Sequence, residues 1–402
     1  MTLLKSTLIV IKSLLFYVFD SLALFNATPP KKNKFELVLL VRQDAIGDFI
    51  MWLDTAKEYR QLYPPNKYKI VLIGNELWCS LAETLPYWDE VFPINVSKFK
   101  TISIYRMKVL FQITNLNSKI AIQPTFSREF YNGDALVRAS KASKKISSVG
   151  DMGNRNRLKQ IIADRWHTEL IPASQKLLTE LERNAEFFSN LSNYSHNTNY
   201  PKLEINNSWF IREWEKEKFY VLVPGTSGVV VGKDWPPKYF ADLSNKIFHH
   251  TRLKGVICGA KKEYDLGEMI LKQSNVPLEN LCGQTTLPNL AGLLSQSLLT
   301  ISNDTGIVYL SSAIGTSSIC ILGGGHFGRF VPFPELPGGE NKLTTIFHKM
   351  PCYGCDWKCI YSIKEGESVP CISNISVDAV WSKLLPLLQK DESLNLLSNN
   401  TT

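Results

Sequence analysis

Short apolar segments alternate with helix-forming stretches in two series along the chain, and this alternation constrains the fold more than any other feature. The first series contains ELVLLV (36–41), KIVLIG (69–74) and KIAIQP (119–124), and the second contains FYVLVP (219–224), GVICGA (255–260), LLTIS (298–302) and SSICIL (317–322). Apolar strands separated by helices form parallel sheets that are covered on both faces. We therefore expect an α/β protein in two halves, with a ligand held between them at the carboxyl ends of the strands.

A polar segment between the two series predicts how the chain divides into domains. Residues 189–208, SNLSNYSHNTNYPKLEINNS, are rich in Asn, Ser and Tyr and lack apolar periodicity, as is typical of a linker. A chain of 402 residues is also longer than one domain usually is. The predicted order is an N-terminal segment (1–34), a first α/β domain (35–195), a linker (196–216), a second α/β domain (217–390) and a disordered polar tail (391–402).

The first 26 residues form a strongly apolar run. On a helix, its three charged residues and one serine fall within an arc of roughly 100 degrees. They are Lys5, Lys12, Asp20 and Ser13. A spanning helix would bring charges into the bilayer at roughly 2.5 to 3.5 kcal/mol each, and no small-residue cleavage site indicates a signal peptide. We expect an amphipathic helix in the membrane interface, close to the lysines at 31–34, and a helix packed on the protein's own surface is the alternative.

The net charge of +8 is modest for this length and is spread along the chain, so nucleic acid is not expected as a partner. Phosphate-bearing ligands and membrane surfaces both suit a charge of this kind. The basic stretch 138–159, RASKASKKISSVGDMGNRNRLK, is either a surface for the phosphates of an acceptor or a solvated face.

The stretch SNDTGIVYLSSAIGTSSICILGGG (302–325) allows three interpretations. Its Asp-Thr-Gly occurs once, whereas an aspartic protease needs two aspartates that share a proton. Its G-x-G-x-x-G pattern is followed by prolines, which exclude the helix of a dinucleotide site, so we expect a flexible loop there. The third interpretation is an anion site at a helix N-terminus, formed by Thr305 and Gly306, with Asp304 accepting hydrogen bonds from sugar hydroxyls. The alternative role for Asp304 is a helix cap.

Four of the eight cysteines lie close together in the sequence, with the spacing C-x2-C-x3-C-x11-C. They are Cys352, Cys355, Cys359 and Cys371. Four thiolates at such spacing suit a tetrahedral structural Zn or Fe site in a reducing compartment, and free or paired thiols are the alternative. We expect the other four cysteines to be core residues.

Several motifs follow one another in a fixed order along the chain. They are LLVRQDAIGDFIMWLDTAKEYRQLYP, LVPGTSGVVVGKDWPPKYFADL, VICGAKKE and NLCGQTTLPNLAGLLSQSLLTISNDTG. In order and spacing, over roughly residues 36–385, they resemble glycosyltransferase family 9, the heptosyltransferases of lipopolysaccharide assembly. The resemblance implies a GT-B fold, in which two Rossmann-like domains with parallel sheets face a central cleft. It also implies an inverting transfer without a catalytic metal, and the sequence contains no Asp-x-Asp pair to hold a divalent ion.

The resemblance implies roles for particular residues. Asp48, in the Gly-Asp turn, matches the catalytic aspartate, with Asp44 as the second candidate, and its other possible role is the N-cap of a helix that begins at Phe49. Lys233 matches the family's phosphate-binding lysine, and Glu263 matches a position that contacts the ribose or base of the donor.

Neighbouring residues complete the predicted donor site. The hydroxyls and N–H groups of Thr226 and Ser227 are suited to phosphate oxygens. Together with Lys233, Thr305 and Gly306, they would stabilise the departing diphosphate as a metal ion does. The chain departs from the family at Tyr309, which stands where the family usually has His, and Tyr does not titrate near neutral pH.

The resemblance implies a cytoplasmic glycosyltransferase at the inner face of the bacterial inner membrane. It would move heptose from ADP-heptose to a lipopolysaccharide core or a related lipid-linked glycan, as a peripheral membrane enzyme. Three alternatives remain open: another nucleotide sugar, a protein acceptor, or a catalytically silent scaffold stabilised by a metal.

Overall fold

The structure is a computed structural model that describes residues 2–25, 35–226, 228, 230–337 and 339–390, with side chains from Val10 onward. The predicted tail (391–402), Ser227 and the lysines at 31–34 lie outside the described residues. The chain forms two compact units, and the division falls between Thr198 and Asn199 apart from the segment Leu177–Glu180, which belongs to the second unit.

The first unit contains a six-stranded parallel sheet with the strand order β3-β2-β1-β4-β5-β6. The strands are β1 (Glu36–Val41), β2 (Tyr68–Asn75), β3 (Glu90–Ile94), β4 (Ile120–Gln123), β5 (Lys144–Ser148) and β6 (Glu169–Ile171). The helices are α1 (Thr2–Phe25), α2 (Ile46–Ala56), α3 (Tyr59–Leu62), α4 (Glu76–Ala82), α5 (Val96–Phe99), α6 (Ile104–Asn115), α7 (Gly133–Ala139), α8 (Arg157–Asp164) and α9 (Glu180–Ser192).

The second unit repeats this arrangement, with a six-stranded parallel sheet in the order β12-β11-β10-β7-β8-β9. The strands are β7 (Phe219–Val223), β8 (Lys254–Ile257), β9 (Leu278–Asn280), β10 (Leu299–Asn303), β11 (Ser317–Ile321) and β12 (Leu343–Ile346). The helices are α10 (Pro237–Thr251), α11 (Tyr264–Gln273), α12 (Leu287–Gln296), α13 (Gly306–Ala313), α14 (Pro370–Ser373) and α15 (Val377–Gln389), and short 3₁₀ turns cover Asn207–Trp209, Arg212–Trp214 and Lys261–Glu263.

These two sheets confirm the predicted α/β class. Strands β1 and β7 lie in the middle of their sheets and are almost completely buried, which explains why each is a continuous apolar run. Five strands were not predicted. Four of them, β3, β6, β9 and β12, are sheet edges, and β5 begins with two lysines, so none carries the apolar signal of a central strand.

Helix α1 is packed on the first unit through a face that carries polar as well as apolar side chains. Its buried side chains include Ser13 and Asp20, both 3% exposed. Asp20 forms a buried ion pair with Arg106 of α6, whose Nη2 lies 2.6 Å from Oδ2. No helix among the described residues combines the length and apolar character needed to cross a bilayer.

A buried ion network holds the loops at one end of the first sheet. Arg128 Nε lies 2.8 Å from Asp134 Oδ1, and both side chains are fully buried. Asp164 Oδ1 lies 3.1 Å from Arg128 and 3.4 Å from Arg155. The Nε2 atom of His167 lies 3.8 Å from Asp134 Oδ1. Burial, with the neighbouring arginines as the next charges, lowers the pKa of His167 to about 3, so this imidazole is neutral in the folded protein.

The network also bears on the basic stretch 138–159. Arg155 belongs to this stretch, yet it is buried and donates through Nε to the carbonyl oxygen of Asp151, 3.2 Å away. Residues 144–148 of the same stretch form the inner strand β5. The stretch is therefore not a uniform solvated face, because part of it builds the sheet and part of it neutralises buried carboxylates.

We expect folding stability to fall in acid because of His167. An unfolded histidine has a pKa near 6.5, so between about pH 6.5 and pH 3 the unfolded chain binds a proton that the folded chain does not. Stability is therefore present above pH 6.5 and is lost as the pH falls, by about 2 kcal/mol at pH 5. The measurement is the free energy of unfolding in urea at pH 7.5 and pH 5.0, for the wild type and His167→Gln.

The variant should lose about 2 kcal/mol less than the wild type between these two pH values. The matched control is His249→Gln, at an exposed histidine on α10, which should lose as much stability as the wild type. An equal acid loss in His167→Gln and the wild type would contradict a neutral buried His167.

Candidate active site

Each sheet reverses its strand order at one point, and Asp48, Lys233 and Asp304 follow strands that meet at these two points. In the second unit, β7 and β10 are neighbours, although helices α10 to α12 separate them in the sequence. In the first unit, β1 and β4 are the corresponding pair. Loops that leave the carboxyl ends of such strands diverge and leave a crevice where ligands bind in α/β folds.

Lys233 and Asp304 form an ion pair at the switch point of the second sheet. Lys233 Nζ lies 3.0 Å from Asp304 Oδ2, with side chains only 16% and 7% exposed. The hydroxyl of Tyr309 donates to the other carboxylate oxygen of Asp304. Asp304 is thus held between a cation and a phenol, and Tyr309, at the position where the family usually has His, acts on the carboxylate by donating a hydrogen bond.

Helix α13 begins directly after this pair. Thr305 is its N-cap, and its Oγ1 accepts a hydrogen bond from the N–H of Ile307 at 3.3 Å. The alternative role of Asp304 as the helix cap is therefore wrong. Thr305 and Gly306 are at the positive end of the helix beside the Lys233 ammonium, which is the arrangement that favours a bound anion.

Thr226, Asp234 and Glu263 lie together beside the same switch point. The Thr226 hydroxyl donates to Asp234 Oδ1 at 2.6 Å. Burial raises the pKa of Asp234, and the charge of Glu263 acts in the same direction. Glu263 Oε2 accepts the N–H of Ala260 at 2.7 Å. A Cβ on Gly225 would lie 2.2 Å from the Glu263 carboxyl carbon, so the glutamate occupies the space that this glycine leaves free.

Two residues that the sequence did not single out hold these loops in place. The Asn303 side chain accepts the N–H of Trp235 at 3.1 Å and donates to the carbonyl oxygen of Pro224. Trp235 is fully buried, and its indole N–H donates to Ile375 at 2.8 Å. The tryptophan thus anchors the loop that carries Lys233, which gives the sequence Lys233-Asp-Trp-Pro a structural basis.

Asp48 lies in the first turn of α2, at the switch point of the first sheet. The N-cap of α2 is Ala45, so the alternative role of Asp48 as the cap of a helix beginning at Phe49 is wrong. A carboxylate in the first turn is favoured by the helix dipole. The Asp48 carbonyl oxygen accepts a hydrogen bond from Arg42 Nη2 at 3.3 Å, and the residue is half-buried.

Asp44, the second candidate base, forms several contacts with neighbouring loops. Its Oδ2 lies 2.8 Å from Arg42 Nε and accepts the hydroxyl of Thr125 at 2.9 Å. Its backbone carbonyl accepts the indole N–H of Trp78 at 2.9 Å. These contacts join the loop after β1 to the loop after β4, so Asp44 shapes the site.

The four clustered cysteines border one small pocket. Burial raises the pKa of Cys371, whose Sγ accepts the N–H of Gly324 at 3.5 Å. The part of the chain that the structure describes contains no group of three or more His, Cys, Asp or Glu side chains arranged to hold a metal ion. The cysteines are therefore neighbours, but their sulfurs are not in metal-ligand geometry.

The glycine-rich loop after β11 packs against the cysteine segment. The carbonyl oxygens of Gly324 and Gly325 accept the N–H groups of Gly354 and Asp356 at 2.8 and 3.0 Å. A Cβ on Gly324 would lie 2.3 Å from the Tyr353 ring. Between β11 and β12 the described residues form turns and bends without a helix, as the prediction of a loop requires, and the glycines serve close packing.

Trp357 links the cysteine segment to the predicted anion site. The Lys233 ammonium lies 5.1 Å from the centre of the Trp357 ring, within cation–π range. A Cβ on Gly325 would lie 2.4 Å from the same ring, so the glycine provides the space that Trp357 occupies. The cysteine segment therefore contributes directly to the surroundings of Lys233.

Comparison with known sequences agrees with the resemblance. A model of the family described as "Glycosyltransferase family 9 (heptosyltransferase)" matches residues 135–352, which is more than half of the chain. Lipooligosaccharide heptosyltransferase 2 of Campylobacter jejuni is 29% identical over 159 residues, 38% of this chain and 46% of that protein. The chain therefore spans about half the length of this curated relative.

Solved structures share the fold over a longer stretch. The structure of E. coli ADP-heptose lps heptosyltransferase II has a TM-score of 0.65 at 15% identity and covers 89% of this chain and 100% of that one. TibC, a dodecameric iron-containing heptosyltransferase from enterotoxigenic E. coli, has a TM-score of 0.52 at 12% identity, covering 90% of this chain and 78% of that one. At these identities the likeness concerns the fold, and it confirms the predicted GT-B class.

Gly324→Ala should loosen the cysteine segment, because the new Cβ would meet the Tyr353 ring at 2.3 Å. Overpacking of this kind typically costs about 1–3 kcal/mol. We expect faster labelling of Cys352 and Cys371 by a maleimide reagent and a matching loss of stability in the second unit. The control is Gly153→Ala, whose Cβ would approach an Asp151 oxygen at 3.3 Å. Unchanged thiol labelling in Gly324→Ala would contradict this packing.

Proposed function

The chain belongs to glycosyltransferase family 9, and we propose that it transfers heptose from ADP-heptose to a lipopolysaccharide core or related surface-glycan acceptor. We propose an inverting transfer that uses no catalytic metal. The observation that carries the proposal is the group formed by Lys233, Asp304 and the start of α13 at the switch point of the second sheet. The choice of ADP-heptose follows the E. coli enzyme with the same fold, an ADP-heptose lps heptosyltransferase.

The proposed donor site binds the diphosphate with the side chains and backbone of the second unit. Lys233 supplies a positive charge, and the first N–H groups of α13 supply neutral donors. Thr226 would join them once its hydroxyl turns from Asp234, to which it now donates, toward the diphosphate. When the bond from the sugar to the diphosphate breaks, negative charge grows on the leaving oxygen, and donors already in place stabilise it. Ser227, which lies outside the described residues, is also proposed to bind the diphosphate because it is adjacent to Thr226 in the sequence. Glu263 is proposed to contact the ribose or base.

The proposed base is Asp48 in the first unit. Its carboxylate takes the proton of the acceptor hydroxyl while that oxygen attacks the anomeric carbon from the face opposite ADP, which inverts the configuration. Asp48 is preferred to Asp44 because its place in the Gly-Asp turn matches the catalytic aspartate of the family. Asp304, held by Lys233 and Tyr309, is proposed to accept hydrogen bonds from donor hydroxyls with the lone pairs that remain.

The cysteine cluster is proposed to hold a structural Zn or Fe ion. Cys352, Cys355, Cys359 and Cys371 fit such an ion by type and number, and all four border one pocket. The TibC structure with the same fold is of an iron-containing enzyme. A bound ion would draw the four sulfurs together and fix the segment that carries Trp357.

The acceptor is proposed to be a lipid-linked saccharide, and the enzyme to work at the cytoplasmic face of the inner membrane as a peripheral protein. The same site would also serve another nucleotide sugar or a protein acceptor. A catalytically silent scaffold is the candidate from another class, and it would keep its function when Asp48 is replaced.

Asp48→Asn tests the proposed base. The amide keeps the size of the side chain but cannot take a proton, and a positioned base is typically worth a factor of about 10² to 10⁴. We expect kcat for heptose transfer to fall by that factor, while the Kd for ADP, measured by calorimetry, stays within about twofold of the wild type.

Two further measurements complete this test. Asp242→Asn, at an exposed carboxylate on α10 that pairs with Lys238, is the matched control and should keep full activity. ADP at 100 times its Kd should stabilise the protein by about 2.7 kcal/mol, and UDP, GDP and CDP should not. Full transfer activity in Asp48→Asn would move the base elsewhere, and stabilisation by UDP or GDP alone would replace the proposed donor.

Metal analysis tests the cysteine cluster independently of activity. We expect about one Zn or Fe per chain in protein purified without a metal-binding tag, since one tetrahedral site takes one ion. The double variant Cys355→Ser, Cys359→Ser should contain almost none. The control is Cys258→Ala, at a buried cysteine beside β8, which should keep the metal. Metal-free wild-type protein from cells grown with added Zn and Fe would exclude the site.

A further inference from the structure

Helix α1 is attached to the first unit by the polar arc that the sequence defines. The Ser13 hydroxyl lies 2.9 Å from the hydroxyl of Tyr131. Asp20 receives two hydrogen bonds from the guanidinium of Arg106, at 2.7 and 2.6 Å, and both side chains are buried. The only carboxylate on the helix is therefore neutralised inside the protein.

Further contacts extend this attachment to the end of the helix. Lys141 Nζ donates to the backbone carbonyl of Leu24 at 2.6 Å, near the negative end of the helix dipole. Arg138 donates to the Ser21 hydroxyl at 2.7 Å and lies 4.2 Å from the centre of the Tyr17 ring. Helix α1 is thus fixed in one orientation about its own axis.

The opposite face of α1 is apolar and exposed. Six of its side chains are between 49% and 88% exposed, and they fall within an arc of roughly 100 degrees centred opposite Asp20. They are Ile11, Leu14, Leu15, Val18, Leu22 and Phe25. A surface helix normally buries its apolar residues and exposes polar ones, whereas α1 buries Ser13 and Asp20 together with Phe16, Ala23 and Leu24 and leaves this apolar arc in the open. A contiguous apolar surface of this kind marks a binding surface.

The charges around this face are positive. Lys12 and Lys159 lie 5.4 and 4.4 Å from the centre of the Tyr131 ring, on the flank of α1. Lys141 and Arg138 add two cations beside its last turns. An apolar face bordered by Lys and Arg matches the acyl boundary and the phosphates of anionic lipids.

We propose that the exposed face of α1 binds the surface of an anionic lipid bilayer, with the helix axis parallel to the membrane. The inference deepens the proposed function, because it names the surface by which an enzyme with a lipid-linked acceptor reaches its membrane. The contacts of Asp20 and Ser13 hold the helix so that its apolar arc faces away from the first unit. The membrane therefore binds a surface that is already oriented, and little ordering accompanies binding.

The test is flotation of the full-length protein with vesicles, of phosphatidylcholine alone or with 30% phosphatidylglycerol. The wild type should float with the anionic vesicles, and the triple variant Leu14→Ser, Leu15→Ser, Leu22→Ser should bind at least tenfold more weakly. The matched control is Leu77→Ser with Leu177→Ser, which replaces two exposed leucines outside α1 and should bind as the wild type does. Binding should also weaken in 0.5 M NaCl, because salt screens the lysines.

Equal flotation of the triple variant and the wild type, or no flotation of the wild type, would overturn the proposal. Sedimentation velocity tests whether the apolar face binds a second copy of the chain instead. A wild type that forms dimers and a triple variant that does not, with equal vesicle binding by both, would assign the face to that second copy. The Kd for ADP, measured on each variant, reports on folding. Since flotation uses neither donor nor acceptor, a failed transfer assay and a failed lipid assay remain distinct results.

Discussion

The carboxylate of Asp304 is the point on which the arrangement of the second unit depends. It follows the central strand β10 directly and is held by Lys233, from the loop after β7, and by Tyr309, from the helix that follows. A carboxylate with so little exposure to water requires a cation and hydrogen-bond donors around it. Lys233 and Tyr309 supply that cation and one of the donors. Their contacts with Asp304 hold the loop after β7 and the start of α13 at the same side of the sheet.

The first unit uses the same strand order with different chemistry at its switch point. There the guanidinium of Arg42 is buried, and it binds the Asp44 carboxylate, the Asp48 carbonyl and the side chain of Asn184. The cation is fully engaged by protein groups, whereas in the second unit Lys233 remains partly exposed beside a helix N-terminus. One topology thus provides a rigid frame for a carboxylate in one unit and a surface suited to an anion in the other.

The central strands and the order of the motifs could be predicted from the sequence, whereas the edge strands and the contacts between distant residues could not. Strands β1 and β7 are buried on both faces and cannot be polar, so their sequences reveal them. The start of α2 at Ile46 was missed because Ala45 is an N-cap without a capping side chain. Asn303 and Trp357 could not be found in this way, since their roles consist of contacts with residues far away in the chain.

The position of Trp357 over Lys233 means that the cysteine segment and the anion site share one side chain. The same ring fills the space that Gly325 leaves free, since a Cβ there would lie 2.4 Å from it. The backbone of the glycine-rich loop, the indole and the lysine are therefore packed in series. A change of side-chain volume at Gly325 would be felt at the Lys233 ammonium, although the two residues are far apart in the sequence.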